Sequence, residues 1–179
     1  RLSVFHQNSP SADDLMITDS HIGGLGMGGN TVVRGREFRG GITYSGLETL
    51  ELDLGYGSDM VTVASTHAGA TYVNTGRGDD SIVVNSTLGH VFIDAGSDND
   101  EVVLSNTATQ TRDSGQLITV ETTPDSLVDQ IQGLVWVDGR LGIDSLKLLD
   151  TGDVSANTGV IKDSRIAGLG MPTPSEVVR

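Results

Sequence analysis

The sequence contains no cysteine, which excludes disulfide staples and thiolate metal sites. Aromatic residues make up only 4% of it. Large rings normally dominate a globular core, so any core here must be built from aliphatic and β-branched side chains stacked in a regular way. Basic residues are also scarce: 11 Lys and Arg stand against 24 Asp and Glu, for a net charge of −13. That balance argues against nucleic acid as a partner and is compatible with cations. No apolar run approaches the ~18 residues of a membrane span. The first residue is Arg1 and no signal-peptide pattern stands there, which reads as a piece of something longer. Proline is rare too, with 4 residues, whereas glycine is abundant at 24, a composition suited to many tight turns.

What the sequence does have is an internal repeat. Residues 50–66 (LELDLGYGSDMVTVAST), 71–87 (TYVNTGRGDDSIVVNST) and 91–107 (VFIDAGSDNDEVVLSNT) align directly. Their turn aspartates Asp59, Asp80 and Asp100 lie 21 and 20 residues apart. A looser copy at 134–151 carries Asp144, and a half copy at 13–20 carries Asp13, each about two periods from its neighbour. Leu50, Leu52 and Leu54 alternate with polar residues before the turn, and Val61 and Val63 do so after it, which is strand periodicity.

Stacking the copies predicts three apolar columns: Leu52, Val73, Ile93 and Val137; Val61, Ile82, Val102 and Leu146; Val63, Val84, Leu104 and Leu148. One copy cannot bury its apolar face alone, but copies stacked at ~4.8 Å can. The expectation is an all-β fold, a right-handed parallel β-helix or β-roll-like solenoid with about 21 residues per coil, hence about eight coils and a rod of roughly 40 Å. The chain reads as a single segment over 1–179, with side loops near 28–45 and 108–133. A longer period shows as well: DSHIGGLGM at 19–27 returns as DSRIAGLGM at 163–171, 144 residues later, while Asp13 to Asp144 spans 131. The chain therefore divides into about one super-repeat, 13–143, plus an overlap, 144–179.

The turns GYGSDMVTV, GRGDDSIVV and GSDNDEVVL follow the nonapeptide pattern G-x-G-x-D-x-U-x, and in this they resemble the RTX, or haemolysin-type, calcium-binding repeats. The resemblance implies that Asp59, Asp80 and Asp100 supply side-chain oxygens to Ca²⁺. It implies that Gly55, Gly57, Gly76, Gly78 and Gly96 shape the turns and offer carbonyls. Calcium takes six to eight oxygens, so two stacked turns would enclose one ion. The motif recurs here about every 21 residues rather than every nine, which leaves one calcium-binding edge instead of two. Asp98 replaces the second glycine of the third copy, and the turn before Asp144 has an extra residue between Gly139 and Gly142.

Turns without metal are the competing reading, because Gly and Asp favour tight turns anyway and a stacked Asp/Asn column can be satisfied by ladder hydrogen bonds. Asp53, Asn74, Asp94 and Asp138 form such a second column. The segments ITYSGLET, GSD, VASTHAG, NTGRGDD and GLGM together are similar to a recurring unit of very long secreted bacterial and algal surface proteins. That similarity implies an extracellular or cell-surface repeat array.

Other chemistry is thin. His67 and His90 fall in the second turns of neighbouring coils and read as exposed turn residues. Asp98, Asp100 and Glu101 are acidic, but no Arg or Lys recurs beside them, as a polysaccharide lyase or hydrolase would require. Arg34, Arg36 and Arg39 cluster in an expected loop, where a surface glycan or a neighbouring subunit is a conceivable partner. Asn85-Ser86-Thr87 is a glycosylation sequon. The leading expectation is a non-enzymatic structural or adhesive unit of an extracellular fibre, with Ca²⁺ in its turns and its own repeats as partners. The alternatives are a calcium-dependent secretion and folding module of a larger effector, and a carbohydrate-active β-helix enzyme.

Overall fold

The computed structural model describes residues 1–114, 118–162 and 164–172. Among these the chain is all-β, with no helix, and thus no helix able to cross a membrane. Two parallel arrays organise it. One sheet runs β1 (Leu2–Phe5), β7 (Thr49–Asp53), β9 (Ala70–Asn74), β11 (His90–Asp94) and β15 (Val135–Asp138), all parallel. The other runs β2 (Asp14–Ile17), β8 (Met60–Val63), β10 (Ser81–Val84), β12 (Glu101–Leu104) and β16 (Ser145–Leu148), again all parallel. Consecutive strands of the repeat alternate between the two sheets, so each strand–turn–strand copy contributes one strand to each.

The three apolar columns form in the register expected. Leu52 pairs with Val73, Val73 with Ile93 and Ile93 with Val137. Val61–Ile82–Val102–Leu146 and Val63–Val84–Leu104–Leu148 line up likewise in the second sheet. Apart from Leu146, which stands half-exposed at the end of its column, these side chains join one aliphatic cluster, in which Val61, Ile82, Val84 and Ile93 are fully buried. Each fully buried Val, Ile or Leu contributes roughly 1.5–3 kcal/mol, so the cluster replaces the missing aromatics as the core.

Five strand pairs form, not eight. The Asp13 and Asp144 copies, read as two periods away, stack directly on their neighbours: Leu15 pairs with Val61 and Leu146 with Val102. The intervening residues leave the stack. Residues 18–48 hold β3 (His21–Gly24) and β6 (Ile42–Thr43), which extend the second sheet antiparallel beyond β2, and a hairpin of β4 (Thr31–Val33) and β5 (Arg36–Phe38). Arg34 and Gly35 turn this hairpin at φ 54° and 75°.

Residues 105–133 hold the antiparallel pair β13 (Thr109–Arg112) and β14 (Ile118–Glu121), a hairpin; residues 115–117 lie outside the described residues. It covers the outer face of the second sheet, where Val83, Val103 and Ala108 are buried against Val120 and Leu149. β17 (Gly159–Lys162) and β18 (Arg165–Gly168) form a last hairpin. Asp163 and residues 173–179 of the expected overlap lie outside the described residues.

Candidate functional site

The turn aspartates come together as one column. The peptide N–H of Asp13 donates to Asp59 Oδ1 (2.8 Å), that of Asp59 to Asp80 (2.7 Å), that of Asp80 to Asp100 (2.9 Å) and that of Asp100 to Asp144 (3.0 Å). Each carboxylate thus accepts the amide of its counterpart one strand pair below. The polypeptide closes the turn this way because the aspartate immediately precedes the inward-facing strand, so its side chain follows the chain into the interior. Asp59, Asp80 and Asp100 are buried.

The other oxygen, Oδ2, is buried without a hydrogen-bond partner in Asp59, Asp80 and Asp100, whereas that of Asp13 lies 3.2 Å from His6 Nε2. Removal from water therefore dominates their chemistry: burial pushes the Asp59 carboxyl up to about 6 and those of Asp80 and Asp100 up to about 7, against the amides, which pull them down. Neighbouring carboxylates push the same way: Asp13 on Asp59, Asp59 and Asp100 on Asp80, and Asp144, Asp79 and Asp98 on Asp100.

The turn glycines divide by backbone conformation. Gly76, Gly78 and Gly96 do adopt positive φ (98°, 115° and 93°), whereas Gly55 and Gly57 do not. The carbonyls of Gly55, Gly76 and Gly96 accept the amides of Arg77 (3.0 Å), Ser97 (3.0 Å) and Leu141 (3.2 Å) in the next turn. They are used to stack turn on turn. The donor chemistry of the column fits a hard cation between successive turns, because Asp59, Asp80 and Asp100 each keep one buried carboxylate oxygen without a hydrogen-bond partner. Asp98 keeps the glycine-like conformation of the residue it replaces, at φ 87°, and its carboxylate accepts the Gly78 amide (3.2 Å).

A second ladder supports the opposite turns. Thr66 Oγ1 accepts the amides of Leu88 (3.0 Å) and Gly89 (3.1 Å), and Thr87 Oγ1 accepts that of Gly133 (3.0 Å). The recurring VAST/VNST threonine marked this in the sequence. His67 is not an exposed turn residue: both ring nitrogens are buried, and the ring stands edge-on to Tyr44 at 5.9 Å. His90 is exposed and accepts the Leu134 amide on Nδ1 (3.1 Å).

Asn85 is part-buried, and both hydrogens of its amide nitrogen are used, donated to the carbonyls of Ser105 (2.8 Å) and Ala108 (2.9 Å), so a glycan there would remove at least one of these bonds. The Asp53–Asn74–Asp94–Asp138 column forms in register, and Arg140 bridges Asp94 and Asp138. The acids do have a basic neighbour: Lys147 pairs with Glu101 across β12 and β16. That pair is partly exposed while Asp100 is buried, so acid and base do not converge. Arg36 lies over Phe38 in the exposed hairpin. Asp129, Asp150 and Asp153, brought together only by the fold, offer oxygens within 4.8 Å of one another.

In comparisons with protein-family models, curated proteins and solved structures, none matches the chain.

Proposed function

We propose that the chain is a structural or adhesive repeat unit of an extracellular fibre or surface protein, folded as a parallel β-solenoid and not catalytic. The observation that carries the reading is the stacking itself: five strand pairs in one register, tied at one turn by the aspartate column and at the other by threonines. Both turns of each copy thus spend side-chain contacts on holding one copy to the next. Among the described residues no groove gathers an acid, a base and a nucleophile. The array would grow by adding copies along its axis, with a second unit of the same kind as its partner.

Within that scaffold we assign calcium to the aspartate column at neutral pH. Asp59, Asp80 and Asp100 would hold it through their unpartnered Oδ2 atoms. The ion would offset the repulsion of stacked carboxylates at ~5 Å in a poorly solvated interior. Two measurements test the proposal. The coding sequence around this segment is expected to contain further 144-residue units. A catalytic or toxin domain joined to a single unit would instead favour a secretion and folding module. At pH 8, millimolar calcium should raise the melting temperature relative to excess chelator, because an ion bound only by the folded state stabilises it by mass action. Identical melting curves would remove calcium from the account and leave the scaffold.

A further inference from the structure

We infer that β16 is a shared strand, the last of one unit and the first of the next, so that the second sheet of each unit runs without a break into the first sheet of its successor. The inference rests on the reading of the chain as a unit of a tandem array and specifies how units join.

The starting point is the hairpin β17–β18. In DSHIGGLGM and DSRIAGLGM the backbone repeats bond for bond. Leu25 N–H donates to Asp14 O (3.0 Å), and Leu169 N–H donates to Thr158 O (3.3 Å). Met27 N–H donates to Gly24 O (2.9 Å), and Met171 N–H donates to Gly168 O (3.1 Å). The φ angles at Gly24, Leu25 and Gly26 are 100°, 53° and 67°; at Gly168, Leu169 and Gly170 they are 89°, 57° and 78°. A Cβ at Gly24 would fall 1.8 Å from Asp14 O, and one at Gly168 would fall 1.9 Å from Thr158 O. Every one of these pairs is 144 residues apart. β17–β18 is therefore β2–β3 of a following unit, and the strand before the motif returns at the same offset as the motif.

Carried back without a gap, the 144-residue offset sets Leu2, Val4 and His6 on Leu146, Leu148 and Asp150. β1 thus coincides with β16, although one belongs to the first sheet and the other to the second. The hydrogen-bonding edges agree with this double role. A strand in a parallel ladder bonds each neighbour through alternate residues. Ser145 donates to Asp100 O (2.8 Å) and Leu149 to Leu104 O (3.1 Å), so β16 meets β12 through the odd positions. His6 donates to Asp53 O (2.8 Å), so β1 meets β7 through the even ones. The even positions of β16 are Leu146 and Leu148, on an edge with no strand beside it among the described residues.

Burial shows where the following strands belong. Ile17 is fully buried between β3 and β8, while its counterpart Ile161 is 80% exposed. Leu146 is 46% exposed at the end of its column. The occupant of the β16 edge is accordingly the β7 strand of a second copy, the arrangement that β1 and β7 already display within this chain.

The test is a duplication of residues 28–171 within the full chain, which joins two units at the equivalent methionines Met27 and Met171. Amide hydrogen exchange is followed residue by residue, with the original chain as reference. The Leu146 and Leu148 amides are expected to slow at least ~100-fold on duplication, to the level of core strands. Leu148→Pro, which removes an edge donor, is expected to lower the melting temperature of the duplicated chain by several degrees more than that of the original. If Val61, Ile82 and Val102 are protected in both copies but Leu146 and Leu148 exchange as before, the shared strand is overturned and the units are separate beads of an array. If the second copy shows no protection at all, the tandem-array reading falls with it.

Discussion

At the residue scale, the aspartate column sets the chain's response to pH. Asp59, Asp80 and Asp100 have folded-state values raised to about 6, 7 and 7, whereas the unfolded chain titrates near the ordinary aspartate value. Between about pH 4 and pH 7 the folded state therefore holds more protons than the unfolded one, and stability falls as pH rises through that window. Without divalent cations, the melting temperature should drop on the order of 10 °C from pH 4.5 to pH 8, since three such carboxyls at about 1 kcal/mol or more each act together. Asp80→Asn keeps the oxygen that accepts the Asp59 amide but removes the charge, so it should melt higher than the parent at pH 8 in chelator and flatten the pH dependence. Asp80→Ala strands that amide in the interior and should cost about 1–3 kcal/mol at any pH. Calorimetry of the two variants separates the role of the hydrogen bond from that of the charge. A parent whose melting temperature rises from pH 4.5 to pH 8 would contradict the burial argument.

At the element scale, the strands and their register were legible because each copy buries one face against its neighbours, and the period of two survives in Leu50–Leu52–Leu54 and Val61–Val63. The β13–β14 hairpin was visible only as an expected side loop, since a polar strand such as TQTR carries no burial signal of its own. Its docking had a trace in the runs IVV and VVL, which do not alternate and so point to strands covered on both faces. The long-range bonds Gln110 Nε2 to Val61 O (2.6 Å) and Arg112 Nη1 to Ser58 O (2.7 Å) had none. Val83→Thr tests the strap. On a bare solvent face the change would be neutral, but beneath the hairpin it buries a hydroxyl and should cost about 1–3 kcal/mol in denaturant titration. The aspartate ladder was half legible: the sequence placed the column, but not that the glycine carbonyls would be used between turns.

At the scale of the whole molecule, two copies read as distant proved adjacent, because long insertions leave the stack at little thermodynamic cost once their ends meet. That is why 179 residues give five strand pairs rather than eight. Because the Lys147–Glu101 pair is partly exposed while Asp100 is buried, we predict no turnover of acidic polysaccharides. Release of unsaturated or reducing ends, abolished by Asp98→Asn or Asp100→Asn, would show a catalytic surface instead. If units continue one stack rather than hang as separate domains, small-angle X-ray scattering of chains carrying one, two and three 144-residue units will show a constant cross-section and a maximum dimension that grows linearly, by about 20 Å for the four strand pairs each unit adds at ~4.8 Å spacing. Dimensions that grow as those of beads on a flexible tether, with no common cross-section, would show separate domains instead.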